Sequence, residues 1–483
     1  MIDPALPPPL LLRAVDLHGS PADVTIRAGR IAAVAPSLAA DPDMTVIEAR
    51  GHALLPGLHD HHIHLNATAA ALGSVRCGPP EVMTAAALAE ALHGAGASGG
   101  GDGWLRGIGY HASVAGEIDR HWLDRHAPHR PIRIQHRSGR LWIMNSLALS
   151  ELGLAGTSDG RLLDGDQWLR ERMPVTPPDL APVGAYLASR GVTGLTEVTP
   201  RNTIADYRRL AAAGLPQRLL VMGAEELDAA SPEAMARAGA LKLHYHDHDL
   251  PGLDRLASRI AGAHAAGRCV ASHCTTTAEL MLTLMAIEEA GPKEGDRIEH
   301  GAIVTPENAE WIARLGLTVV SQPHFLTERG QAYLAEVDRQ DLPWLYRLAG
   351  LKRAGIPLAA GSDAPFGNPD PWKSMAAAVH RPAGFGEDEA LTPEEALALF
   401  TGSAEAPGAD ARRIASGEPA DLCLLDRSWS AARRDLASVT VRLTLVGGNI
   451  AAAAVSLASP AGRSVTGQKI NAGRGATVTL GGI

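Results

Sequence analysis

The sequence predicts an α/β fold, a (β/α)8 TIM barrel with a small β-sandwich formed by the N- and C-terminal segments. Three observations lead there. Eight short apolar runs recur along the chain, most of them alternating with helical patterns, as parallel βαβ units do. Ionisable residues, chiefly histidines, close several of these runs, at the strand ends where barrels build active sites. A Gly-punctuated alternating pattern precedes the first run and returns after the last.

The elements follow in order. Val24-Thr25-Ile26-Arg27 turns through Ala28-Gly29-Arg30 into Ile31-Ala32-Ala33-Val34, a small antiparallel unit. Ala53-Leu54-Leu55 then leads into Pro56-Gly57-Leu58-His59-Asp60-His61-His62-Ile63-His64-Leu65. A run that opens apolar and closes on imidazoles reads as a buried strand delivering side chains at its C-terminal end. Residues two apart share a face, so His62 and His64 stand together while Ile63 packs the other way. Two neutral imidazoles on one rigid strand make half a site for zinc or a similar divalent ion.

The pattern then breaks. From Asn66 to about Ala181 the reading is an insertion, with a break at Gly99-Gly100-Gly101 and a β-like run from Pro131 to His136. From Pro182 the strand–helix alternation sets in. Its strands are Thr193–Val198, Arg218–Met222, Ala240–His244, Cys269–His273, Arg297–His300, Leu317–Ser321 and Pro357–Asp363. Helices intervene, as at Thr277–Ala290 and Pro306–Leu315. With the His62 strand these make eight, the number that closes a barrel. Thr392-Pro393 opens a later helix as N-cap and first helical residue. Gly417–Asp426 and Val439–Val446 return to strand. The expected domains are therefore a sandwich of residues 1–55 and 415–483 and a barrel of 56–414 carrying the insertion at about 66–181. The stretch from about Ala453 is weakly patterned and receives no role.

Composition narrows the function. The chain has 483 residues and a net charge of −9. It has no basic stripe, which argues against nucleic acid as a partner. Leu10-Leu11-Leu12 is far too short to span a bilayer, and the N-terminus lacks the basic region of a signal peptide. Cys77, Cys269, Cys274 and Cys423 form no C-x-x-C pair and read as reduced core residues. The expectation is a soluble cytoplasmic enzyme taking a small-molecule substrate, with a homodimer as the default assembly.

Each polar strand-end residue has a bland explanation by itself. His273 could be a hydrogen-bonded core histidine, His300 half of a surface ion pair with Glu299, Asp363 a turn cap, and Lys242 a side chain snorkelling to solvent. Jointly they carry weight, because His62, His64, Lys242, His273, His300 and Asp363 fall in strand order at one rim.

Here the chain resembles the metal-dependent amidohydrolase superfamily. The matching features are Pro56-Gly57-Leu58-x-Asp60-x-His62-x-His64, Leu241-Lys242-Leu243, Ser272-His273, Ile298-Glu299-His300-Gly301 and Gly361-Ser362-Asp363-Ala364. Gly191-Val192-Thr193 and Pro419-Ala420-Asp421-Leu422 agree at the flanks. Gly107–Tyr110 and Asn145–Leu149 are similar to the large-insertion branch that includes N-substituted formamide deformylase.

The resemblance implies hydrolysis of an amide, formamide or cyclic amide C–N bond through a metal-activated hydroxide. His62 and His64 would hold one divalent ion with Asp363, and His273 and His300 a second, zinc being the expected metal. Lys242, carboxylated by CO2, would bridge the two as a carbamate. Asp363 would act as general base and then general acid.

Departures bear on the substrate. The branch often has His where this chain has Arg140, and Arg137 lies nearby. Two guanidiniums would favour an anionic substrate group, with an Arg-rich surface as the competing explanation. His111, His244 and His324 are further candidates for substrate contact. Two other functions stand beside hydrolysis. A one-metal deaminase of a heterocycle would want Glu three residues after His273, where this chain has Thr276. A non-catalytic barrel would be expected to have lost ligands.

Overall fold

Eight parallel strands lie side by side in chain order. They are β1 Leu58–Ile63, β2 Val192–Glu197, β3 Arg218–Gly223, β4 Ala236–Leu243, β5 Val270–Cys274, β6 Arg297–His300, β7 Thr318–Ser321 and β8 Leu358–Ala360. The computed structural model describes residues 7–454, 457–458 and 464–465, apart from 80, 99–102, 155–158 and 174–176. The glycine run at 99–101 and nearly all of the stretch beyond 454 lie outside the described residues.

β1, β2, β6 and β7 are buried at every position, the signature of strands covered on both faces. The barrel closes between its last and first strands just past the end of β8. Asp363 N donates to His62 O at 2.7 Å, and His64 N donates to Ala364 O at 3.0 Å. Gly361 permits this approach, since a Cβ there would lie 2.3 Å from His62 N.

The outer helices pack by the same patterning. Leu253–Ala265 buries Leu256, Ala257 and Ile260. Thr277–Ala290 begins in a capping box of Thr276 with Glu279. Pro306–Arg314 starts on Thr305 with Pro306 in its first turn. Leu256, Ile260, Leu280, Leu284 and Ile312 meet Leu241, Val270, Ile298 and Val319 of the strands in one core.

β4 runs from Ala236 to Leu243, starting before the expected Ala240 because its early residues pair with Leu219–Val221 of β3. His244 is consequently the first residue beyond the strand. Two four-stranded sheets accompany the barrel. One combines Leu10–Leu17, Ser20–Arg27, Arg30–Ala35 and Thr45–Glu48; the other combines Leu54–Pro56, Leu422–Leu425, Val441–Val446 and Asn449–Ala453. Leu10, Val24 and Ile26 share a core with Leu424, Leu443 and Leu445, so the two chain ends pack together.

The chain divides into two units, Met1–Leu65 with Val183–Ile483, and Asn66–Pro182. The second has its own sheet of Val75–Arg76, Leu105–Tyr110, Ile132–His136, Leu141–Met144 and Arg161–Leu163. Its core gathers Cys77, Leu88, Leu92, Tyr110, Leu123 and Ile134. Among the described residues no helix is long and apolar enough to cross a membrane.

Candidate metal centre

Four strand ends of one barrel contribute to a nest of imidazoles and carboxylates. β1 supplies His62, and His64 follows it. Their Nε2 atoms lie 3.4 and 3.3 Å from one oxygen of Asp363, which comes off the end of β8. His273 on β5 and His300 on β6 meet with Nδ1 and Nε2 3.0 Å apart. The His62 and His300 rings are 4.8 Å apart and join the two halves. His62, His300 and Asp363 each offer a ligand atom within 4.8 Å of the others. His300 and Asp363 both hold positive φ, at 68° and 49°, a conformation that costs non-glycine residues energy and collects at functional sites.

Lys242 of β4 is fully enclosed by this cluster. Its ammonium lies 3.9 Å from Glu299 Oε2 and makes no hydrogen bond among the described residues. Burial brings the amine down to about 8, against the pull of Glu299. Burial also lowers His300 to about 3, helped by the charge of His62, and takes His273 far down. Both imidazoles are therefore neutral, the form that ligates a metal. Burial alone would raise the Asp363 carboxyl, yet the charge of His62 and hydrogen bonds from His62 and His64 hold it well below the usual range.

Behind this cluster stands a support that sequence reasoning missed. Glu299 reaches His62 Nδ1 with one oxygen and takes a 2.6 Å hydrogen bond from Arg297 Nε on the other. Arg297 in turn donates to His61 O at 3.1 Å. Glu299 is thus buried inside the barrel and not half of a surface pair with His300. A carboxylate on the far nitrogen of a ligating His fixes its tautomer and orientation. Gln322 Oε1 does the same for His300 Nδ1 at 2.7 Å, and Thr199 for His64 Nδ1 at 3.2 Å. Asp60 accepts from the backbone of His62 and Ser362, tying β1 to the Asp363 turn.

With this geometry in place, similarity to known proteins becomes informative. The Amidohydrolase family matches residues 45–452. The chain belongs to the amidohydrolase family. As an amidohydrolase it is a metal-dependent hydrolase of carbon–nitrogen bonds, in a family whose substrates are typically small molecules. It is 26% identical to N-substituted formamide deformylase from Arthrobacter pascens, over 86% of this chain and 92% of that one. An uncharacterized metal-dependent hydrolase from Pyrococcus furiosus has the same fold, with a TM-score of 0.72 at 21% identity over 87% of this chain and 99% of that one. So does N-isopropylammelide isopropylaminohydrolase from Burkholderia multivorans, at 0.53 and 18% over 92% and 98%.

The remaining candidates fall in three places. His244 stands beside His273 in this amidohydrolase, ring centroids 4.6 Å apart, and burial with His246 nearby lowers it to about 4. His324 opens the helix His324–Glu336 and is buried, bonded to Ser374 Oγ and to Ser362 O, both at 3.0 Å. Both its nitrogens are engaged, so it braces the turn that carries Asp363. His111, Arg137 and Arg140 belong to the second unit. There His111 caps Ala112–Ala115 and Arg137 N donates to Tyr110 O. Arg140 pairs with exposed Asp164 at 2.7 and 2.5 Å.

Proposed function

We propose that this amidohydrolase hydrolyses an amide or formamide bond of a small molecule at a two-ion site made by His62, His64, Lys242, His273, His300 and Asp363. The observation that carries the reading is Lys242. A buried ammonium without a hydrogen-bond partner is a costly group to keep, and an ammonium cannot ligate a cation. An amine brought down to about 8 is neutral often enough to attack CO2. Its nitrogen bonds to the carbon, a proton leaves, and the resulting carbamate offers two anionic oxygens.

The donor set of imidazoles and carboxylates fits divalent zinc. His62, His64 and Asp363 would hold one ion, His273 and His300 the other, and the Lys242 carbamate both. Ions bound there supply Lewis-acid polarisation of a carbonyl and acidify water. The protein's own part is proton handling. Asp363, ionised and braced between two imidazoles, takes a proton from water and returns it to the leaving nitrogen. Glu299 and Gln322 keep His62 and His300 aimed while that happens.

A one-ion arrangement on His62, His300 and Asp363 is the alternative, and it draws on their tight grouping. The deaminase version of it lacks support, because Thr276 is spent capping the helix Thr277–Ala290. We also propose a cytoplasmic location, which the free state of Cys77, Cys269, Cys274 and Cys423 supports.

The test is a screen of N-formyl, N-acyl and cyclic amides against zinc-loaded protein, with bound metal counted in parallel. Release of amine with at least two zinc ions per chain is expected. Inertness toward every amide alongside release of ammonia from amino-heterocycles would overturn the reading.

A further inference from the structure

Beyond the inner cluster the barrel rim carries a second set of histidines. His244, His246 and His273 each offer a ring nitrogen within 4.8 Å of the other two. Their rings pack edge to face, His244 at 4.6 Å from both His246 and His273 and His246 at 5.7 Å from His273. The spacing His244-Tyr245-His246 explains how. Tyr245 turns inward, buried, with its hydroxyl 3.0 Å from Ser272 Oγ, so the residues either side of it turn outward together. The segment is pinned again at Asp247, which accepts from Thr276 Oγ1 at 2.6 Å.

We propose that His244, His246 and His273 bind a further divalent transition-metal ion at the rim, outside the inner site. Three imidazoles with an open fourth position form a recognised zinc donor set, and nitrogen-only ligands select zinc, nickel or copper over magnesium and calcium. A carboxylate lies near the trio. Glu279, buried, has an oxygen 3.8 Å from His246 Nδ1, outside hydrogen-bond distance but close enough to favour positive charge at the ring. His273 belongs to both sets, and holding an ion on each ring nitrogen would require it to release its N–H proton to solvent and act as an imidazolate. The proposal does not depend on Lys242 being carboxylated.

The experiment is a zinc count on full-length protein, loaded with zinc and desalted, compared with His246→Gln and His244→Gln. Each variant is expected to hold one zinc fewer than the parent while keeping its circular dichroism spectrum. His248→Gln, outside the trio, should keep the parental count. Lys242→Ala should keep the rim zinc even as it loses the inner ions, which separates failure of this proposal from failure of the proposed function. Titration of the parent protein with zinc against a chromophoric chelator should reveal a class of site missing in His246→Gln. Equal zinc counts in parent and His246→Gln would overturn the proposal, as would a raised KM in His246→Gln with no change in zinc.

Discussion

Lys242 and Asp363 define what single side chains must do here. Lys242 is buried and, as an amine, makes no hydrogen bond among the described residues. Lys242→Ala should lose the inner ions and activity, and short carboxylic acids added to the buffer should restore part of both. Full metal content in that variant, measured by atomic emission, would rule out the bridging carbamate. Asp363→Asn keeps the shape of the side chain and removes its basicity. Turnover should fall by about 10²–10⁴-fold with the circular dichroism spectrum unchanged, and near-parental kcat would refute the proton-transfer role.

At the scale of elements, the seam between β8 and β1 is a close approach of backbone to backbone. Gly361→Ala places a carbon against the backbone of His62 with nowhere to move. The expected result is loss of cooperative thermal unfolding or destabilisation beyond about 4 kcal/mol. An ordinary melt would mean the seam has slack. The helix Pro393–Ala398 offers a gentler test. The hydrogen bond from Lys352 at 2.6 Å, with the cap from Thr392, holds Glu395 down to about 2. A depressed carboxyl stabilises the fold above its unfolded pKa and loses that contribution as pH falls toward the folded one. Glu395→Gln should thus be less stable than the parent at neutral pH, with the gap closing between about pH 4.5 and 2; chemical denaturation across that range measures it. These elements also show why some features could be read from sequence and others could not. Apolar runs alternating with helical ones announce the barrel, and a polar residue ending such a run announces the rim. Within β6 the signal fails. Arg297 and Glu299 look like surface charges, but a strand covered on both faces gives no alternation from which to tell inside from outside. The positive φ of His300 breaks the two-residue period as well. The contacts of Glu299 with His62, 237 positions away, depend on barrel closure and have no local signature.

For the whole molecule, ions bound only by the folded state add to its stability by mass action. Dialysis against a chelator should therefore lower Tm and abolish turnover together, and zinc should restore both. A Tm unmoved by chelation would mean that the histidine cluster stands without metal. The seam carries one more consequence. The carbonyl of His62 and the amide of His64 are the groups that receive the chain near residue 364. During synthesis the N-terminal histidines must wait for some three hundred further residues to leave the ribosome before the ring can shut around them. On the proposed ligand set, a chain ended before Asp363 would lack one side of the inner site, so metal capture there would follow completion of the barrel.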